Sequence, residues 1–332
     1  FNRVLLIVIL IAVIGAGLYY VYTNVRCPPY CSGVNLTDRD FRNKRLNNAN
    51  FSNGLLKGID FSGASLDGAN LEGADLSGAN LSNASLIQAN LKNAVFIGSD
   101  LSGARLTAAE LDGVDFSGAD LTGAVLTGVD LTREVKLNAV DLGKADLVNA
   151  NLAGANFGGA QLAQANMNGA DLNDASLDGA NLTGAQLHGA TLVNADMLGA
   201  TLDEASLFGA DLTGASIAGA TFTDAALNGA LMTSTILDGA RFDSSKLAGA
   251  ILDQASLRRT NFLGARLAGA SLQNAELIDS VFDIKIIDGI QFPTNADGSN
   301  MTDTKLSGSF LAGGTFAGAD MSGADFSSGG SG

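Results

Sequence analysis

Two cysteines, one histidine and a surplus of carboxylates are the residues of this chain best suited to chemistry. Cys27 and Cys31 stand in the run CPPYC. Redox pairs use a two-residue spacer, and two thiolates with no histidine beside them leave a tetrahedral zinc half-coordinated. The pair reads most simply as a small disulfide-closed loop in an oxidising compartment, with free thiols in a reducing one as the alternative. His188 occupies a variable position in Gln186-Leu187-His188, where a solvated surface residue is expected. No nucleophile, base and orienting acid can be assembled around it. Serines and threonines are abundant but follow the spacing of a repeat, as do glycines such as Gly154 and Gly159. No phosphate-binding or dinucleotide fingerprint stands apart from that spacing. Aspartates recur so regularly that no single carboxylate pair is informative, and none has the spacing of a calcium loop. The chain therefore reads as a non-enzyme, with no metal, no cofactor and no small-molecule substrate.

The element that positions all these residues is a repeat of period five. From Ala64 to Leu91 the chain reads ASLDG ANLEG ADLSG ANLSN ASLIQ ANL. A small residue, a polar one and a large apolar one recur, followed by two tolerant positions. Five matches neither the helical period nor simple strand alternation. Short internal repeats point to a solenoid, in which each unit buries its apolar face against its neighbours. The repeated Ala-Asn-Leu and Ala-Asp-Leu phrases resemble the pentapeptide-repeat family. That resemblance implies a right-handed, four-sided β-helix with four units per coil. The central Leu or Phe and the Ala two residues before it would point inward. Asn or Asp before the central residue would bond nearby backbone, and Gly would accept turn dihedrals.

Central positions fall every five residues from Leu36 to Leu131, slip by one at 133–136, and run again from Leu137 to Phe282. The slip reads as a one-residue bulge at a corner. A second break at about 285–300, with Pro293 and Asp297-Gly298, reads as a protruding loop. Met301, Leu306, Leu311, Phe316, Met321 and Phe326 complete the body. The expected organisation is an apolar helix at 1–23, a cysteine-bearing linker at 24–35, a β-helix at 36–326 and a flexible tail at 327–332.

The N-terminal stretch is of a different kind. Val4 to Tyr22 carries no charge, and as a helix it would cover about 28 Å, one bilayer core. Tyr19, Tyr20 and Tyr22 would sit in an interfacial aromatic belt. Phe1 followed by the apolar run Leu5 to Gly17 resembles mature type IV pilin-like subunits. It departs from them in having Leu5 where most carry Glu, and in Arg3. The resemblance implies a filament core in which Phe1, Leu5, Ile9, Gly15 and Gly17 pack against copies. The cations Arg26, Arg39, Arg42, Lys44 and Arg45 that follow favour a cytoplasmic body, whereas the cysteine pair favours an exported one.

With 34 Asp and Glu against 19 Lys and Arg, the net charge is −15. That balance argues against nucleic acid as a partner, because phosphate needs a basic footprint. An acidic mimic of DNA would need a continuous stripe. Asp75, Asp100, Asp130 and Asp146 instead fall on four different faces, so none is evident. Val193, Leu198, Leu231, Ile236, Ile251 and Ile278 put large apolar groups at outward positions on two neighbouring faces, a candidate partner edge. The leading expectation is an extracellular filament subunit at the cell surface, made from a membrane-anchored precursor and partnered by copies of itself. The alternative is a membrane-anchored interaction scaffold whose body is cytoplasmic or periplasmic. An acidic DNA mimic comes third.

Overall fold

The computed structural model describes residues 11–13, 18–20 and 29–327, apart from 133, 134, 138, 288, 289, 308 and 312. From Tyr30 onward the residue before each central position bridges its counterpart one coil later in parallel register: Tyr30 with Asn50, Asn35 with Leu55, Asp40 with Asp60, Arg45 with Ser65. Four columns of this kind make four faces. Face 1 carries the central residues Cys31, Phe51 and Leu71, and face 2 carries Leu36, Leu56 and Leu76. Face 3 carries Phe41, Phe61 and Leu81, and face 4 carries Leu46, Leu66 and Leu86. About fifteen coils at a strand spacing of ~4.8 Å make a rod about 70 Å long.

Two features of the repeat make each corner. The central residue's carbonyl accepts the amide three residues on, as from Ala64 to Phe61 at 2.8 Å. The second residue after each central position is left-handed, for example Asn53 at φ 53° and Gly73 at φ 65°. Those two residues stack in successive coils. A Cβ on Gly73 would lie 2.6 Å from Oδ1 of Asn53, so a side chain here would have to displace the Asn53 amide in addition to adopting the left-handed dihedral.

The core is a dry column of central Leu, Ile, Met and Phe side chains with Ala two positions before each. Phe222, Phe242, Phe262 and Phe282 stack along face 3, with ring centroids 4.8, 5.2 and 4.8 Å apart. At most positions where Ser or Thr replaces the inward Ala, its hydroxyl donates to a backbone carbonyl; Ser299 Oγ is buried without such a partner. Ser99 reaches Phe96 at 2.7 Å, Ser245 reaches Phe242 at 2.9 Å and Thr304 reaches Met301 at 2.9 Å. A buried hydroxyl is tolerated when it is bonded in this way.

The first break is the expected bulge. Asp115 pairs with Lys136 and Asp120 with Asp141, a step of one residue more than elsewhere. Val135 is buried two positions before Leu137, so the core phase survives the extra residue. The second break is not a loop over 285–300. It is a hairpin, β3 (Ile284–Ile287) paired antiparallel with β4 (Ile290–Pro293), inserted at the corner between faces 3 and 4. Asn295 is already back in the ladder, bridged to Arg266, and Asp297-Gly298 forms an ordinary corner of the coil. The run IKII is rich in β-branched residues, which favour extended backbone over an irregular loop.

Two boundaries also move. The coil stack begins at Tyr30, not at residue 36, because Cys31 takes an inward central position and is fully buried. In the stretch expected to be helical, the described residues form two short strands, β1 (Ile11–Val13) and β2 (Leu18–Tyr20), paired antiparallel. Ile, Val and Tyr favour extended backbone, and the glycines between these strands in sequence weaken a helix. Among the described residues no helix is long and apolar enough to cross a membrane. Phe1, Leu5, Ile9, Gly15 and Gly17, and the end of the tail, lie outside the described residues.

Candidate interaction surface

Because the core consumes every central and inward position, only three positions per unit reach the surface. The residue before the centre is a rung of the ladder, and its side chain turns back onto the chain. Asp60 Oδ1 accepts the amide of Ser62 at 2.9 Å, Asp100 that of Ser102 at 2.9 Å and Asp120 that of Thr122 at 2.8 Å. These are Asx-turns, and they explain the preference for Asn and Asp at this position.

The residue after the centre reaches diagonally to the rung of the next coil, eighteen residues on. Lys57 pairs with Asp75 at 3.2 Å, Lys92 with Glu110 at 2.8 Å and Arg258 with Glu276 at 2.5 Å. Ser256 donates to Asp238 at 2.6 Å by the same geometry. Glu276 also takes Lys305 at 2.5 Å. The Lys305 and Arg258 contacts together hold its carboxyl below the usual range. Asp178 is the converse case. Burial pushes its carboxyl up, the amide of Leu198 opposes that, and the neighbouring Asp196 adds to the rise. At the rod's start, Arg42 holds the Asp40 carboxyl down at about 2.

His188 follows the diagonal rule too. It is exposed, and its Nε2 lies 2.5 Å from Oγ of Ser206, with the Phe208 ring 6.2 Å away. The contact was legible in the eighteen-residue spacing. It is a dyad without an acid: no bond from a described residue reaches the other ring nitrogen, so nothing orients the imidazole for nucleophilic chemistry. Among the described residues no cluster of His, Cys, Asp and Glu could hold a metal ion. Cys31 is disulfide-bonded; Cys27, the only other cysteine, lies outside the described residues.

The six apolar candidates are distributed over two adjoining faces. Val193, Leu231 and Ile251 lie on face 1, and Leu198, Ile236 and Ile278 on face 2. Leu231 and Ile251 are neighbouring rungs, whereas Ile236 is flanked by Ser216 and Ser256. The six are therefore not one continuous edge. Leu198 is 55% exposed and Ile236 47%, while Val193, Ile251 and Ile278 are only half-buried. Phe208, 60% exposed, Phe310, 51%, Leu55, 49%, and Ile97, 48%, are further outward apolar groups elsewhere on the rod.

The stripe that four sampled aspartates did not reveal exists on face 3. Asp40, Asp60, Asn80, Asp100, Asp120 and Asp141 are consecutive rungs. Arg42 neutralises its start, at 2.7 Å from Asp40 and 3.5 Å from Asp60. Counting by twenty along a single face would have found it, since each sampled aspartate lay on a face of its own.

A family model described as pentapeptide repeats matches the chain in overlapping stretches, from 30–63 and 45–83 through 133–169 to 245–283, and again at 297–328. Among solved structures, one similar chain is HetL, a pentapeptide repeat protein involved in heterocyst differentiation regulation from the cyanobacterium Nostoc sp. It is 28% identical over 71% of this chain and 87% of its own, with a TM-score of 0.36. The plasmid-mediated fluoroquinolone resistance protein QnrB1 is 19% identical over 57% of this chain and 91% of its own, with a TM-score of 0.30. A pentapeptide repeat protein from the Arabidopsis thaliana thylakoid lumen is 30% identical over 28% of this chain and 71% of its own, with a TM-score of 0.20. No curated protein matches.

Proposed function

The chain belongs to the pentapeptide-repeat family, and from that premise we propose that it works without catalysis, as a rigid membrane-anchored rod whose outer faces hold protein partners, copies of itself among them. The observation that carries this reading is the exposure of Leu198, Leu231 and Ile236 on two adjoining faces of a body whose core is already full. Large apolar side chains at outward positions add nothing to the core and are available to a partner. The uncharged run Val4 to Tyr22 supports the anchor.

Two further readings each have an observation behind them. The pilin-like apolar run Leu5 to Gly17 favours an extracellular filament subunit assembled through that segment. The face 3 aspartate ladder favours an acidic mimic of nucleic acid.

Sedimentation of the full chain in detergent separates them. Leu198→Asp with Ile236→Asp should abolish association while far-UV circular dichroism stays unchanged, because neither side chain fills the core. Loss of association only on deletion of 1–22 would transfer the role to the apolar segment and the filament reading. Association that survives both changes would defeat both readings. Binding of a DNA-binding protein, lost on replacing Asp100 and Asp120 by Asn, would instead favour mimicry.

A further inference from the structure

In a chain with nearly twice as many acids as bases, the diagonal rule gives Lys57, Lys92 and Arg258 a carboxylate. Lys246 and Arg266, like Arg105 and Lys144, have none among the described residues, and their placement sets them apart. They are consecutive rungs of face 4, bridged in parallel register, and this is the one described rung pair that sets two cations opposite each other. The positions eighteen residues earlier, which supply diagonal partners elsewhere, hold Asn228 and Ala248. No ion pair among the described residues uses either side chain. Asp297, farther along the same face, is occupied: its Oδ1 accepts the amide of Ala317 at 2.7 Å and its Oδ2 accepts Asn295 Nδ2 at 3.3 Å. Like charges set opposite one another in a ladder destabilise it, and no ion pair among the described residues offsets this one.

The pair also faces a cleft. The inserted hairpin leaves the corner between faces 3 and 4, and beside it lies a cavity of about 600 Å³. Lys246 and Arg266 line it, with Pro293 at the foot of the hairpin, Asn295 in the next rung, and Ser244 and Asp224 on the corner. The guanidinium offers a planar fork suited to oxyanions, and the ammonium offers a point charge. At a rung separation of about 4.8 Å, both can reach the oxygens of a single tetrahedral anion. The Asp224 carboxylate and the Ser244 hydroxyl suit the hydroxyl groups of whatever carries that anion.

We propose that this cleft is a binding site for a phosphate monoester bearing hydroxyl groups, with Lys246 and Arg266 holding the phosphate and Ser244, Asn295 and Asp224 the remainder. The site is independent of the apolar faces 1 and 2, so its failure would leave the interaction reading untouched.

The test is calorimetric titration of the full chain with inorganic phosphate, with glucose 6-phosphate against glucose, and with phosphatidylinositol 4-phosphate vesicles against phosphatidylinositol vesicles. Saturable binding of the phosphate-bearing probes is expected, weakened at least tenfold by Lys246→Gln with Arg266→Gln. Preference for glucose 6-phosphate identifies a soluble ligand, and preference for phosphatidylinositol 4-phosphate identifies a lipid headgroup. Both support the site. A second variant, Ala248→Asp, puts a carboxylate at the missing diagonal position, where it should pair with Arg266 and suppress binding in a fully folded rod. A third, Lys92→Gln with Arg258→Gln, removes cations that are already paired and should bind like the wild type. No saturable binding, binding retained in the first two variants, or equal loss in the third overturns the proposal.

Discussion

Phe242 lies at the centre of the face 3 ring stack, 4.8 Å from Phe222 and 5.2 Å from Phe262, with interplanar angles of 8° and 7°. Replacing it with Leu keeps an apolar side chain at a fully buried site, so the volume change alone costs less than about 1.5 kcal/mol. Each ring pair lost adds about 0.5–1.5 kcal/mol beyond area burial. Two pairs are lost, so the stacking cost is about 1–3 kcal/mol. Phe157 is the control. It is equally buried on face 2, where the central residues one coil before and after are Leu137 and Leu177, so Phe157→Leu forfeits no stack. Solenoids need not unfold in one step, so a single melting midpoint is the wrong readout. Native-state hydrogen exchange fits better, read at the amides of Phe222 and Phe242, which bond to the carbonyls of Arg241 and Asn261 at 2.7 Å. Phe242→Leu should lower the local opening free energy there by about 1–3 kcal/mol more than Phe157→Leu does at its own coil. Equal losses at the two sites would show that the rings act as bulk apolar filler and would refute the stacking argument.

Three other outcomes are expected. Glu276, held down by Lys305 and Arg258, contributes stability that is full above its unfolded pKa and is lost as pH falls through its lower folded value. Asp178, raised by burial and by Asp196, works the other way: its coil loses stability as pH rises from the unfolded pKa through the folded one. Exchange rates measured from pH 3 to 7 should therefore move oppositely in the two coils, and Glu276→Gln and Asp178→Asn should each remove its own trend. Gly73→Ala should destabilise by more than the ~1 kcal/mol of a left-handed Ala, because its Cβ would lie 2.6 Å from Asn53 Oδ1. Gly78→Ala, with nothing within 4 Å, should cost only the dihedral term in the same denaturation assay. With Cys31 disulfide-bonded, the non-reduced protein should resist alkylation and weigh two hydrogens less than the reduced one in mass spectrometry; two alkylated thiols would refute the bond.

The pentapeptide phrase alone determined the coil, the inward residues and the bulge near Val135, because a solenoid's contacts repeat at a fixed offset and each unit reports its own environment. It also determined the Asx-turns, since Asp60 bonds Ser62 within a single unit. Contacts between residues about twenty positions apart are legible only as far as the count of stacked units is. The face 3 stripe, the Ser206–His188 contact and the diagonal ion pairs depend on which units stack, a count that one miscounted break would shift. Cys31 read as linker because the units beside it are degenerate, yet stacking on Phe51 makes it core. The inserted segment read as a loop because Pro293 and Asp297-Gly298 are turn signals, whereas strand pairing from Ile284 to Pro293 decided its form. The unneutralised Lys246 and Arg266 could be seen only in three dimensions, because a missing partner is defined by the neighbours that the tertiary structure assigns.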